Sequence, residues 1–114
     1  MKKIEKSVLF KIKGKEWAAK FFPEKQYQSL HGEDSSAITI GVSREIHFIK
    51  SDFSVKFCLH ELFHAFIFES ATESSSLTRD QSEELCCSLI GEHLEEIGLL
   101  SRRITDFFLS QRKK

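Results

Sequence analysis

The segment from Phe53 to about Glu69 constrains this chain more than any other. On a helical wheel Leu59, Leu62, Phe63, Phe66 and Ile67 cover most of its circumference. A helix that is apolar nearly all round belongs at the centre of a domain. Ser51-Asp52 supplies its start signal, so the remaining elements are expected to pack around a buried helix. A chain of 114 residues, 40% of them hydrophobic and 11 of them Phe, can build one such core and has no internal boundary, which makes residues 1–114 a single domain.

The flanking pattern fills in the elements. Ser7 to Gly14 reads as a first strand ending at glycine. Lys15 to Gln28 is ambiguous: it is dense in apolar residues, but Pro23 interrupts any helix there. His31 to Ser36 is a turn by composition, and Ala37–Val42 and Arg44–Ile49 alternate as two strands, joined at 41–43 as a hairpin or as one bent strand. After a Ser-, Thr- and Glu-rich loop, Thr78 and Gln81 form a capping-box pair for a helix over Arg79–Ile97, which Gly98 is placed to end. Ser101 caps a last short helix carrying Ile104, Phe107 and Phe108.

Charge and cysteine content exclude several classes. The 17 basic and 17 acidic residues cancel, so no global field attracts nucleic acid or an anionic membrane, and the basic termini read as ordinary solvated ends. No apolar stretch is long enough for a transmembrane helix, and the N-terminus lacks the apolar core of a signal peptide. Cys58, Cys86 and Cys87 are odd in number and without framework spacing. They read as free thiols of a cytoplasmic protein.

Within the apolar helix stands His60-Glu61-Leu62-Phe63-His64. Histidines at i and i+4 project from one face a turn apart, so their imidazoles can converge on one tetrahedral zinc. Glu61 points about a quarter-turn away, where it can act as general base on a zinc-bound water. If the helix is buried, these polar groups without a metal would be costly. The bland alternative is a pair of core histidines bonded to backbone, with Glu61 at a helix edge. A third ligand is expected from the next helix, where Glu83 lies in the middle of an apolar stripe of Cys86, Cys87, Ile90, Leu94 and Ile97, and Glu84 at its margin. Glu83 is favoured and Glu84 kept as the alternative. His93 lies too far along the helix to share that metal, His31 reads as solvated, and Cys87 as a buried structural thiol. His47 is either an electrophilic partner or an ordinary strand-face histidine.

The stretch Leu59 to Phe66, with Glu69-Ser70, Ser82-Glu83-Glu84-Leu85, Gly14-Lys15-Glu16-Trp17 and Glu45 to Ile49, resembles the small phage- and prophage-encoded zincin-like metallopeptidases of gluzincin type. The resemblance covers most of residues 7–97, and its specific part is the HExxH and the double Glu. It implies an α+β, minimal zincin-like fold, with a small twisted sheet packed on the HExxH helix and a second, ligand-bearing helix. It further implies one zinc ion held by His60, His64 and Glu83, with Glu61 as base. Four residues after the ligand glutamate such proteins often carry Asp or Asn, which can orient a zinc histidine, and here Cys87, a poor hydrogen-bond acceptor, stands instead. The leading expectation is therefore a zinc-dependent peptidase whose protein or peptide substrate pairs with the strand Arg44–Ile49. A zinc-holding regulatory module without efficient catalysis is the second reading, and a metal-free helical core with a chance motif the third.

Overall fold

The computed structural model describes residues 7–70 and 79–112. The expected capping box at Thr78 and the loop before it lie outside those residues. The chain begins with a hairpin, β1 (Ser7–Ile12) and β2 (Lys15–Phe22), in six-pair antiparallel register. Lys13 and Gly14 both have positive φ, 52° and 81°. That is the geometry of a two-residue turn whose twist matches the flanking strands, and glycine occupies it without strain. The ambiguous segment thus resolves at Pro23: strand before it, and helix α1 (Glu24–His31) after it, with the proline at the N-cap.

A second hairpin follows, β3 (Ala37–Ile40) and β4 (Glu45–Ile49). Its connection is closed by the Arg44 N–H donating to the Gly41 carbonyl, so the hairpin forms rather than the bent strand. β4 also pairs in parallel with β2, giving one four-stranded sheet in the order β1-β2-β4-β3. The strand Arg44–Ile49, expected to receive a substrate, is therefore interior and hydrogen-bonded on both sides. β3 is the edge beside it.

A 3-10 turn at Lys50–Asp52 leads into α2 (Val55–Ser70). The cap is Ser54, whose Oγ accepts the Phe57 N–H at 3.1 Å, not the Ser51-Asp52 pair. The last helix, α3, runs unbroken from Arg79 to Arg112. Gly98 does not end it and Ser101 does not restart it, because Ile97, Ser101, Ile104 and Phe108 form one continuous buried stripe across both positions. The gain from packing that stripe outweighs the cost of about 1 kcal/mol for a glycine inside a helix.

The sheet has a helix layer on each face. Val8, Phe10 and Ile12 of β1, Trp17, Ala19 and Phe21 of β2, and Ile46 and Phe48 of β4 pack against α2 and α3. Alternate residues point the other way, where Phe22, Ile49 and Ile38 close over Tyr27 of α1. The result is a small α+β fold, an open four-stranded sheet with three α-helices. Among the described residues no helix is long and apolar enough to cross a membrane.

Two expectations are overturned here. α2 is not apolar all round: Lys56, His60, His64 and Phe68, four residues apart, form an exposed stripe along it. The zincin-like arrangement, with a neighbouring helix delivering a third ligand, is also not the one that forms. Phe66 meets His93 at a ring separation of 5.2 Å, and Cys58 bonds to Ser101. The two helices therefore run antiparallel, with positions 60–64 level with positions 95–99. Glu83 lies about 12 residues away from that level, roughly 18 Å along the helix axis, and its side chain is exposed, as is that of Glu84.

Candidate functional site: the open edge of the sheet

β3 has one side on β4 and the other side open among the described residues. The Ile49 N–H donates to the Ser36 carbonyl at 3.0 Å. Antiparallel ladders alternate, so the main-chain groups of Ser36, Ile38 and Ile40 face β4, and those of Ala37 and Thr39 face outward. Two unpaired N–H groups and two carbonyls thus line the edge, a row that can take an added strand.

α2 forms the floor beside this edge. A groove of about 440 Å³ runs between them, lined by Ile38, Thr39, Gly41, His60, His64 and Phe68 among others. It meets a second, acidic cleft of about 630 Å³ at Ala37, His60 and Glu61. Gly41 sets the upper end of the groove: a Cβ there would stand 2.5 Å from two ring carbons of Phe68. Phe68 in turn meets Trp17 edge-on at 6.2 Å between ring centres.

Glu61 is buried, with 7% of its surface exposed. Thr39 Oγ approaches Glu61 Oε1 at 2.6 Å and the Glu61 carbonyl at 3.0 Å. One hydroxyl proton serves one acceptor at a time, and the shorter, charge-assisted bond to the carboxylate is the stronger. Among the described residues Oε2 has no hydrogen-bond partner and the carboxylate no ion pair, but the oxygen is not sealed from solvent. Its charge is felt nearby. Burial first, and the Glu61 charge in addition, push the Tyr27 hydroxyl up, against the lowering effect of its Ser35 hydrogen bond. Burial first, and again Glu61, push the Cys58 thiol up to about 11 despite the Ser101 bond.

His60 and His64 stand side by side, their Nε2 atoms 3.2 Å apart, joined by one N–H···N bond between exposed rings. Neither ring needs a metal to offset burial. Water solvates both rings, so neither carries the desolvation cost that a metal was invoked to relieve. The buried polar group of the motif is Glu61, and a hydroxyl satisfies it. Among the described residues no group of three or more His, Cys, Asp and Glu side chains comes together to hold a metal ion. Among the described residues zinc therefore has two imidazoles and no third protein ligand, short of what a zinc site needs. The expected zinc cofactor, the zinc peptidase, the zinc-holding module and the likeness to zincin-like metallopeptidases are all corrected on this ground. No family model, curated protein or solved structure matches the chain.

Two polar clusters were not visible in the sequence. At the far end of α2, Glu69 takes hydrogen bonds from Trp17 Nε1 at 2.9 Å and from the Arg44 guanidinium, with only 4% of its side chain exposed. Burial alone would push its carboxyl up, but the bonds and charges of Arg44, Trp17 and Lys15 outweigh that and hold it below the usual range. On the back face, His47 Nε2 lies 2.7 Å from Glu45 Oε1, and His47 Nδ1 lies 2.9 Å from His31 Nε2. A carboxylate only accepts, so His47 donates to Glu45, and in the neutral ring Nδ1 accepts from His31. Lys20 closes the chain on Glu45 Oε2 at 3.0 Å. His31, expected to be solvated, is thus half-buried and bonded, and His47 is a buried link tying α1 to the sheet, away from the groove. Cys87, expected to be buried, is exposed.

Proposed function

We propose that this chain is a peptide-binding module that takes an extended segment of a protein partner as an added strand on β3. The observation that carries the reading is the outward row of main-chain groups at Ala37 and Thr39, set beside a groove with histidines for a wall. Backbone pairing supplies affinity to such a segment, and alternate side chains of the guest reach pockets on either side. The exposed stripe of α2 then has a purpose a core helix could not serve: His60 and His64 offer ring donors and acceptors, and Phe68 an apolar surface, to side chains on the α2 side of the guest. The reading assigns the chain recognition of its partner and no hydrolytic step.

Ala37→Pro tests this directly. Proline at the first residue of an edge strand removes an outward N–H and no bond to β4. A fluorescein-labelled pool of ten-residue peptides rich in Thr, Val, Ser and Arg should bind the wild type. Loss of one ladder bond, worth about 0.5–1.5 kcal/mol, should weaken binding roughly 2- to 12-fold while the fold is retained. The same pool N-methylated at alternate residues should not bind. Equal binding of the methylated pool would overturn the reading.

A further inference from the structure

Where the groove passes Ala37 and Glu61 it opens into the larger cleft. That cleft is lined by the carboxylates of Glu24, Glu33, Asp34, Asp52 and Glu61, against a single lysine, Lys56. In a chain with equal numbers of acidic and basic residues, this is a local excess of negative charge. Two of the carboxylates are partly engaged: Asp52 accepts from Ser36 Oγ at 2.9 Å, and Glu24 from Gln28 Nε2 at 3.3 Å. Glu33 and Asp34 are exposed and make no ion pair among the described residues. Glu61 differs from all of these. It is more than nine-tenths buried, Thr39 donates to one of its two oxygens, and it lines both the groove and the cleft. Its second oxygen borders the groove and the cleft, where a cation arriving from solvent can pair with it.

Resting on the peptide-binding reading, we propose that the guest segment is basic, with an arginine or lysine whose head group enters the cleft and pairs with Glu61. The geometry fits a strand guest. Ala37 is at once the outward-facing start of β3 and part of the wall shared by groove and cleft, so a segment paired with β3 arrives at the cleft with side chains on both sides. Arginine suits the position better than lysine, because its planar fork can engage Oε2 while reaching the rim carboxylates. Glu33 and Asp34, exposed at that rim, contribute attraction and orientation at a distance, screened by salt.

The test uses three ten-residue Thr/Val/Ser peptides identical except for one central residue: arginine, citrulline or glutamate. Citrulline keeps the shape of arginine and removes its charge. The wild type should bind the arginine peptide at least about tenfold more tightly than the citrulline peptide, with the glutamate peptide weakest, and the preference should shrink as salt rises. In Glu61→Gln, which keeps an acceptor for Thr39, the arginine preference should fall below about threefold. Should that variant unfold, the exposed double variant Glu33→Lys, Asp34→Lys carries the test, and must lower the arginine preference. Equal affinity for arginine and citrulline peptides, each lost on N-methylation, would overturn the basic-guest proposal and leave strand addition standing. Absence of binding by all three would overturn both.

Discussion

The molecule holds two histidine pairs, and they are opposites. His60 and His64, one turn apart on α2, bracket the HExxH motif of the sequence, yet both rings lie in water and share a single bond. His31 and His47 are separated by 16 residues and belong to no motif. They form the middle of a chain of bonds from Lys20 through Glu45 to α1, with His47 buried. The pair that spacing makes conspicuous is a surface feature, and the pair that spacing hides holds two layers together. A helical i, i+4 relation guarantees proximity but says nothing of burial, and proximity without a third ligand makes no metal centre.

The largest effect should come from breaking the hidden pair. His47→Ala leaves His31 without its partner and Glu45 with Lys20 alone, and should cost about 2–3 kcal/mol in urea unfolding. His47→Ala matching wild type would show that the relay contributes nothing. The same pair should also be visible in pH. Burial first, then the neighbouring His47, hold the His31 pKa below 6.5, so its stabilisation is full above that value and is lost as pH falls through the folded one. Glu45 is lowered too: burial pushes it up, but the bonds and charges of His47 and Lys20 outweigh that. Its contribution, like that of Glu69, is full above about 4.5 and is lost as pH falls further. Urea midpoints at pH 7.5, 5.5 and 3.5 should therefore decline in two stages, and His31→Asn should remove the first.

On the other side of the comparison the effects shrink. Thr39→Val keeps the shape but strips Glu61 of its hydroxyl, and should cost about 1–2 kcal/mol. No loss there would mean that water replaces Thr39 without penalty. Gly41→Ala forces the Phe68 ring aside, and a partly exposed ring can move, so about 1 kcal/mol is expected, with Phe68 resonances shifted in NMR spectra. His64→Ala should change stability by less than about 0.5 kcal/mol, as for other exposed positions. A loss of 2 kcal/mol in His64→Ala would erase the distinction between the pairs.

Much of the fold was legible in local pattern. The strands at Ser7, Ala37 and Glu45 and the helix through Leu62 follow from alternation and apolar periodicity. What escaped was non-local. Whether α3 stops at Gly98 depends on the stripe from Ile97 to Phe108 meeting α2, which outweighs a local breaker. Which strand is an edge depends on the parallel pairing of β2 with β4 across the α1 crossover, and no short window carries that information. At the site, the motif residues were found and their surroundings were not. Exposure of His60 and His64, the Thr39 partner of Glu61 and the displacement of Glu83 along α3 are all set by how α2 lies against the sheet and α3. The acidic cleft assembles carboxylates from α1, the turn after it and the segment before α2, none of which forms a charge run.

Amide hydrogen exchange of β3, with and without a bound ten-residue peptide, separates strand addition from binding elsewhere on the molecule. Strand addition predicts that Ala37 and Thr39, whose N–H groups face outward, gain protection, while Ile38 and Ile40, already bonded to β4, change little. Unchanged exchange at Ala37 and Thr39 in the presence of a bound peptide would rule out strand addition on β3.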